Sequence, residues 1–223
     1  MTLKMKSAIV MILLGIQLCC LNCLAQGGGS DPNETWNNGN YGEPDLWYTS
    51  NDVTLIKYGL ISVSEVPGIS GSGVLLQTYI HNQDTVKSFL SKTKGIARKG
   101  QGGIPFTEKV VGMHGYYAYN LLEDDTAKLL IVFKRKDSIV SSTEYKIKGN
   151  GIQKTYLPFT FPIKLNVVPD TVIVEASLSS FSTIPGRKNG SYLELDSLSF
   201  IGQGKMLLLP NGNFENWVLH RRN

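Results

Sequence analysis

The sequence predicts an all-β sandwich or barrel, and three observations carry that reading. Short segments rich in β-branched and aromatic residues recur between Gly, Pro, Asn and Asp: Val53–Tyr58, Gly73–His81, Val86–Leu90, Leu129–Lys134, Ser138–Ile147, Thr155–Leu165, Thr171–Ser177, Tyr192–Phe200 and Lys205–Leu209. Strands of this length separated by turn signals are the pattern of a sandwich or barrel. No long amphipathic helix interrupts them. Leu129 to Phe133 is an unbroken apolar run bounded by Lys128 and Lys134, which suits the middle of a sandwich.

The N-terminus bounds the compartment. Lys4 and Lys6 precede the apolar stretch Ser7 to Ile16, and Leu24-Ala25-Gln26 follows. That order reads as a secretory signal peptide cut after Ala25, with an apolar part too short for a membrane span. All three cysteines, Cys19, Cys20 and Cys23, fall inside it. The mature chain is therefore expected to hold neither disulfides nor a cysteine nucleophile, and its core must hold the fold. Losing Lys4 and Lys6 leaves 20 basic against 18 acidic residues, a charge of +2, which makes no electrostatic case for nucleic acid. The dense basic segment Lys92 to Gly100 reads as a solvated loop. The expected order is residues 1–25 signal peptide, 26–32 a flexible leader containing Gly27-Gly28-Gly29-Ser30, 33–204 the sandwich, and 205–223 a tail. In that tail, Pro210 to Trp217 echoes the opening Asn33 to Tyr48 and reads as a truncated repeat or a coincidence of turn residues.

Within the sandwich, Val172, Val174 and Ala176 alternate with Ile173, Glu175 and Ser177, so one face of that strand belongs to the core. Pro162 and Pro169 suit strand ends or edges. Lys148-Gly149-Asn150-Gly151 reads as a hairpin connection. In Tyr192 to Phe200, Leu193 and Leu195 share one face of a regular strand while Leu198 and Phe200 fall on the other. A bulge at Asp196-Ser197 would return all four to the core and re-aim Asp196, either as a turn-like Asp bonded to backbone or as a metal ligand.

Catalytic patterns are thin. His81, His114 and His220 lack the spacing of a zinc pair, and no nucleophile elbow or phosphate loop appears. Glu123-Asp124-Asp125 offers paired carboxylates of the kind a glycosidase uses, but adjacent acids read first as a solvated turn. Aromatic rings are the better candidates for binding: Trp47, Tyr48 and the cluster Tyr116-Tyr117-Ala118-Tyr119. Each competes with a packing role. Tyr117 and Tyr119 share a strand face and can continue a core stripe, which leaves Tyr116 outward.

Taken in order, Asn33-Glu34-Thr35-Trp36, Trp47-Tyr48-Thr49-Ser50-Asn51, Gly71 to Thr78, Gly103-Ile104-Pro105-Phe106, Gly115 to Tyr119, Asp125-Thr126-Ala127, Pro169 to Val172, Ser179-Ser180 and Gly190 to Asp196 resemble the carbohydrate metabolism domain family of exported Bacteroidetes proteins. The resemblance spans roughly residues 33–201. That family is similar to jelly-roll carbohydrate-binding modules of the galactose-binding kind, in which a Glu near the N-terminus and an Asp in the C-terminal strand help hold a structural calcium. The matching positions are Glu34 and Asp196; Asn33 stands where the pattern has an apolar residue before the Glu, and Phe214-Glu215 fits that pattern. Carboxylate oxygens are the ligands calcium takes.

The resemblance implies an exported jelly-roll β-sandwich, secreted, periplasmic or at the cell surface. It further implies a glycan as partner; the thin catalytic patterns add a non-catalytic role, the charge gives no nucleic acid, and the aromatic residues Tyr116, Trp47 and Tyr48 are the expected ligand-binding residues. A structural or adhesive surface protein and a carbohydrate-active enzyme are the alternative readings.

Overall fold

The computed structural model describes residues 40–81, 84–122, 125–149, 151–179 and 189–220, and they form a jelly-roll β-sandwich in which every strand pairing is antiparallel. One sheet runs in the order β10 (Ser138–Lys148), β9 (Thr126–Arg135), β12 (Thr171–Ser179), β6 (Ser88–Ser91), β2 (Tyr48–Thr49), with β7 (Ile104–Pro105) also on β12. The facing sheet runs β11 (Gly151–Pro162), β8 (Val110–Leu121), β13 (Asn189–Gly202), β4 (Ser72–His81), β3 (Val63–Pro67). There, β5 (Asp84–Val86) adds to β4 and β14 (Met206–Leu208) to β13. A separate ribbon joins β1 (Tyr41–Pro44) to β15 (Trp217–His220).

The core lies between the two sheets. Leu129, Ile131 and Phe133 of β9 and Val172, Val174 and Ala176 of β12 meet Met113, Leu193, Leu195 and Phe200 from across it. The other side of β9 is covered too. Leu130 and Val132 pack with Ile173 and Ala97 into a second apolar cluster on the outer face. A strand buried on both faces has no solvent side to alternate with, which is why Leu129 to Phe133 is apolar without a break.

The bulge in β13 is present. Its register against β8 shifts between Asp196 and Ser199, Ser197 takes φ +53°, and Leu193, Leu195, Leu198 and Phe200 are all buried. Pro162 ends β11, which occupies an edge of its sheet, where a missing N–H costs no ladder bond.

Three expectations are corrected. Val53–Tyr58 belongs to a helix, α1 (Asn51–Tyr58), rather than a strand. Gly59, at φ +67°, closes it as a left-handed cap, its N–H donating to the Leu55 carbonyl at 3.0 Å while Leu60 N–H donates to the Thr54 carbonyl at 3.3 Å. The buried Asn51 side chain anchors its start, donating to the Val63 carbonyl at 2.7 Å and accepting from Ser62 and Val63 N–H at 2.9 Å each. That start and stop outweigh the β-branched composition between them.

The connection at residues 148–151 is not a hairpin, because β10 and β11 lie in different sheets. The two strands face each other across the core, where Tyr145 stacks on Phe161 at 4.3 Å. The tight hairpin joins β9 to β10 instead, with Lys136 and Asp137 at φ +49° and +61°, as a primed turn requires.

Finally, residues 205–220 are not a tail outside the packing. Leu209 and Phe214 are buried in the core, and β14 and β15 pair with β13 and β1.

Candidate functional site

The outer face of the six-stranded sheet is partly roofed by residues 92–103, which leave β6 and return to β7. Lys92 N–H bonds to the Val174 carbonyl at 2.8 Å, the Thr93 hydroxyl donates to the Gln101 carbonyl at 2.9 Å, and the Gln101 side chain accepts from Ile96 N–H at 2.9 Å. Ala97 plugs this strap onto the outer apolar cluster. Gly102, at φ +71°, lies against the Thr93 side chain so closely that a Cβ would collide with it. The strap is thus a tied wall, and two clefts open beside it.

One cleft, about 560 Å3, runs between Leu46, Lys92, Ile104 and Pro210. The other, about 690 Å3, is lined by Asp52, Lys87, Phe89, Arg98, Glu175 and Ser177. Tyr48, Thr93, Lys94 and Gly95 line both. Tyr48 is 39% exposed, and the Lys94 ammonium lies 5.1 Å from its ring centre.

The charges of this region are set by burial. Glu175 is pushed above the usual carboxylate range by desolvation, with Arg98 opposing. Arg98 itself pairs with Glu144 at 2.7 Å, and Asp52 accepts a hydrogen bond from the Tyr41 hydroxyl. Lys92 is 2% exposed. Its ammonium lies 4.0 Å from the Trp47 ring centre and donates to the Leu46 carbonyl at 3.1 Å and to the Pro210 carbonyl. Burial pulls its pKa down to about 7, with Asp45 opposing.

The sequence-derived candidates separate. Tyr48 lies at the junction of the clefts. Trp47 does not present its ring to a ligand: it is 4% exposed, tilted against Phe214 at 5.4 Å, with its indole N–H on the Asn211 carbonyl at 2.9 Å. Adjacent residues of an extended segment point to opposite faces, so an exposed Tyr48 obliges Trp47 to turn inward. Tyr116 lies on the outer face of the other sheet, edge-on to His114 at 5.3 Å, while Tyr117 and Tyr119 pack against the core. Its facing is the expected one, but the structure does not bring it near Tyr48. Register puts Tyr192, Glu194 and Asn120 on the same outer face as Tyr116.

Asp196 is fully buried. Its carboxylate accepts Ile69 N–H at 2.7 Å and the Ser197 hydroxyl at 3.2 Å, and Gly68 approaches so closely that a Cβ would lie 2.6 Å from it. Glu215 grips the same turn from the other end, accepting Ser72 N–H at 3.2 Å. Glu34 lies outside the described residues. Among the described residues, no group of three or more His, Cys, Asp and Glu side chains converges as a metal site would.

The cleft-lining residues missed from sequence are those of the strap and of α1. Lys92 to Gly100 reads as a solvated loop, yet Lys92 and Ala97 are buried and Lys94 lines both clefts. Asp52 follows from recognising α1. The outward facing of Glu175 was the one legible signal, through its alternation with Val174 and Ala176.

No protein-family model and no curated protein sequence matches the chain. Among solved structures, the chain is similar to TmCBM61 in complex with β-1,4-galactotriose, at TM-score 0.42 and 12% identity over 72% of this chain and 91% of that one. It is similar to a family 11 carbohydrate-binding module from Clostridium thermocellum, solved with a β-1,3-1,4-mixed-linked tetrasaccharide, at TM-score 0.38 and 12% identity over 74% and 88%. The K1 cleaved adhesin domain of Lys-gingipain from Porphyromonas gingivalis W83 gives TM-score 0.40 and 11% identity over 73% and 94%.

Proposed function

We propose that this chain is an exported, non-catalytic carbohydrate-binding module that acts at the cell surface or in the periplasm. The observation that carries the reading is the half-exposed Tyr48 ring at the junction of two clefts whose walls combine aromatic and polar side chains. A sugar offers a flat apolar face edged with hydroxyls. Tyr48 and Phe89 supply rings for the face, and Asp52, Thr93, Lys94 and Ser177 supply partners for the hydroxyls. Sites of this size with a few convergent polar groups are where small ligands bind. The Asp52 carboxylate is already engaged by the Tyr41 hydroxyl, which favours holding a ligand over proton transfer to it.

A glycan array on the chain from Gln26 onward tests this, beside Tyr48→Ala and Tyr116→Ala. Binding is expected for at least one glycan class, with Tyr48→Ala losing about tenfold or more in affinity, the scale of one stacked ring, while its melting curve is unchanged. Chromatography of the incubated glycan should show no cleavage products. An array blank at every glycan rejects the reading. A loss on Tyr116→Ala alone moves the site to the outer face of the other sheet.

The structural calcium belongs to the same proposal. Asp196 accepts two hydrogen bonds, and a carboxylate offers about four lone-pair positions, so its donor set fits a hard cation. Asp196 with Glu34 would hold the ion, and Glu215 grips the same turn as Asp196. A ligand bound only by the folded state stabilises it by about 2.7 kcal/mol at a hundredfold excess over its Kd, so melting in calcium and in EDTA should differ by several degrees. Identical curves, with no calcium in the purified protein by elemental analysis, remove the metal.

A further inference from the structure

We infer that the groove around Tyr48 takes a glycan bearing carboxylates, a uronic-acid chain, whose acid groups are received by Lys94 and Lys87. This rests on the glycan reading of the same site and names the class of sugar.

The larger cleft holds three basic side chains, Lys87, Lys94 and Arg98, and two acidic ones, Asp52 and Glu175. They are not equally available. Arg98 is taken by Glu144. Asp52 accepts from Tyr41. Lys87 and Lys94 have no ion-pair partner among the described residues. Desolvation moves Glu175 toward its neutral form, so it opposes an incoming anion less than a free carboxylate would. The cleft therefore offers two ammonium groups without an ion-pair partner against one carboxylate, Glu175, that no hydrogen bond or ion pair holds among the described residues.

Placement narrows the ligand further. Lys94 lies over the Tyr48 ring and lines both clefts. Phe89, at 37% exposure, adds a second ring on the Lys87 side. A ligand satisfying both features needs a flat apolar face and an anionic group on the same unit. A uronic acid residue has that combination, with its ring face beside its C5 carboxylate. A neutral sugar would leave both lysines without a counter-charge, and a polyanion without rings would leave both aromatic faces unused.

The test uses the chain from Gln26 onward, titrated with oligogalacturonate, with the same oligosaccharide fully methyl-esterified, and with polyglutamate as a ringless polycarboxylate. The oligogalacturonate is expected to bind about tenfold or more tightly than its methyl ester, the loss that a charge-assisted hydrogen bond carries. Its affinity should fall as salt shortens the screening length, and polyglutamate should not compete. Lys87→Gln and Lys94→Gln should each weaken oligogalacturonate severalfold more than they weaken the ester, and Tyr48→Ala should weaken both.

Equal affinity for acid and ester, or lysine variants that bind the acid as the wild type does, would overturn the inference. The glycan reading would stand if Tyr48→Ala still abolished that binding. Competition by polyglutamate at equal strength would show a charge effect without sugar recognition and would also overturn it. Oligogalacturonate that fails to bind while the array shows neutral glycans bound through Tyr48 rejects the uronic-acid class alone. Failure of every glycan rejects both readings together.

Discussion

Phe214→Ala should destabilise the protein by about 3–5 kcal/mol, the cost of deleting a fully buried aromatic ring. Phe214 is completely buried, packs on Trp47 at 5.4 Å, and sits at φ +54° in a segment secured from both sides. Within that segment the Gly212 carbonyl accepts Leu198 N–H at 2.7 Å, and the Asn211 side chain donates to the Asp45 and Asn216 carbonyls at 2.9 Å each. Collapse into the vacated space is restrained by those bonds, so the cavity should persist. Urea unfolding of Phe214→Ala beside the wild type measures the loss, and truncation after Gly204 should abolish the cooperative transition. A truncated chain that melts like the parent would show that residues 205–223 are dispensable.

Lys92→Met should cost about 2 kcal/mol near pH 6, and more at higher pH. The methionine keeps the apolar stem but removes the donor to the Leu46 and Pro210 carbonyls, and each such hydrogen bond contributes about 1 kcal/mol. The pH dependence follows from burial, which lowers the Lys92 amine to about 7 from about 10.4 in an unfolded chain. Between those values the unfolded chain binds a proton that the folded chain has released, so wild-type stability rises with pH across this window. A neutral amine keeps two N–H donors for the two carbonyls, so the contacts survive deprotonation. The variant cannot titrate there and lacks the rise, so the gap widens between about pH 7 and 10. Parallel melting temperatures for the two proteins from pH 6 to 9 would show that Lys92 keeps an ordinary pKa in the fold.

How far the fold is legible from sequence depends on whether a feature is local. The bulge at Asp196 is readable because side chains alternate with a period of two, and a slip in that period leaves Leu198 and Phe200 visibly out of phase with Leu193 and Leu195. The inward facing of Tyr117 and Tyr119 follows by the same rule. Val53–Tyr58 misleads because β-branched residues dominate its middle, while the signals that decide it, Asn51 and Gly59, sit outside. The hairpin at Lys148-Gly149-Asn150-Gly151 misleads for another reason. Turn chemistry describes how a chain reverses, and says nothing about which sheet the next strand joins. The strap was illegible on both counts. Its basic residues look solvated until Ala97 is seen against Leu130, Val132 and Ile173, all distant in sequence, and only then do Lys94 and Glu175 become neighbours of one groove.

The pairing of β1 with β15 has a consequence for how this module can be joined to others. Tyr41 lies directly opposite His220, and their rings stack at 5.1 Å. Both chain ends of the sandwich therefore leave from one place. Paired residues on antiparallel strands have Cα atoms only about 5 Å apart, so a linker of a few residues can bridge them. The sandwich can then be spliced into an exposed loop of a host protein without forcing that loop apart. It can also be circularly permuted, with new ends opened at the Lys136-Asp137 turn.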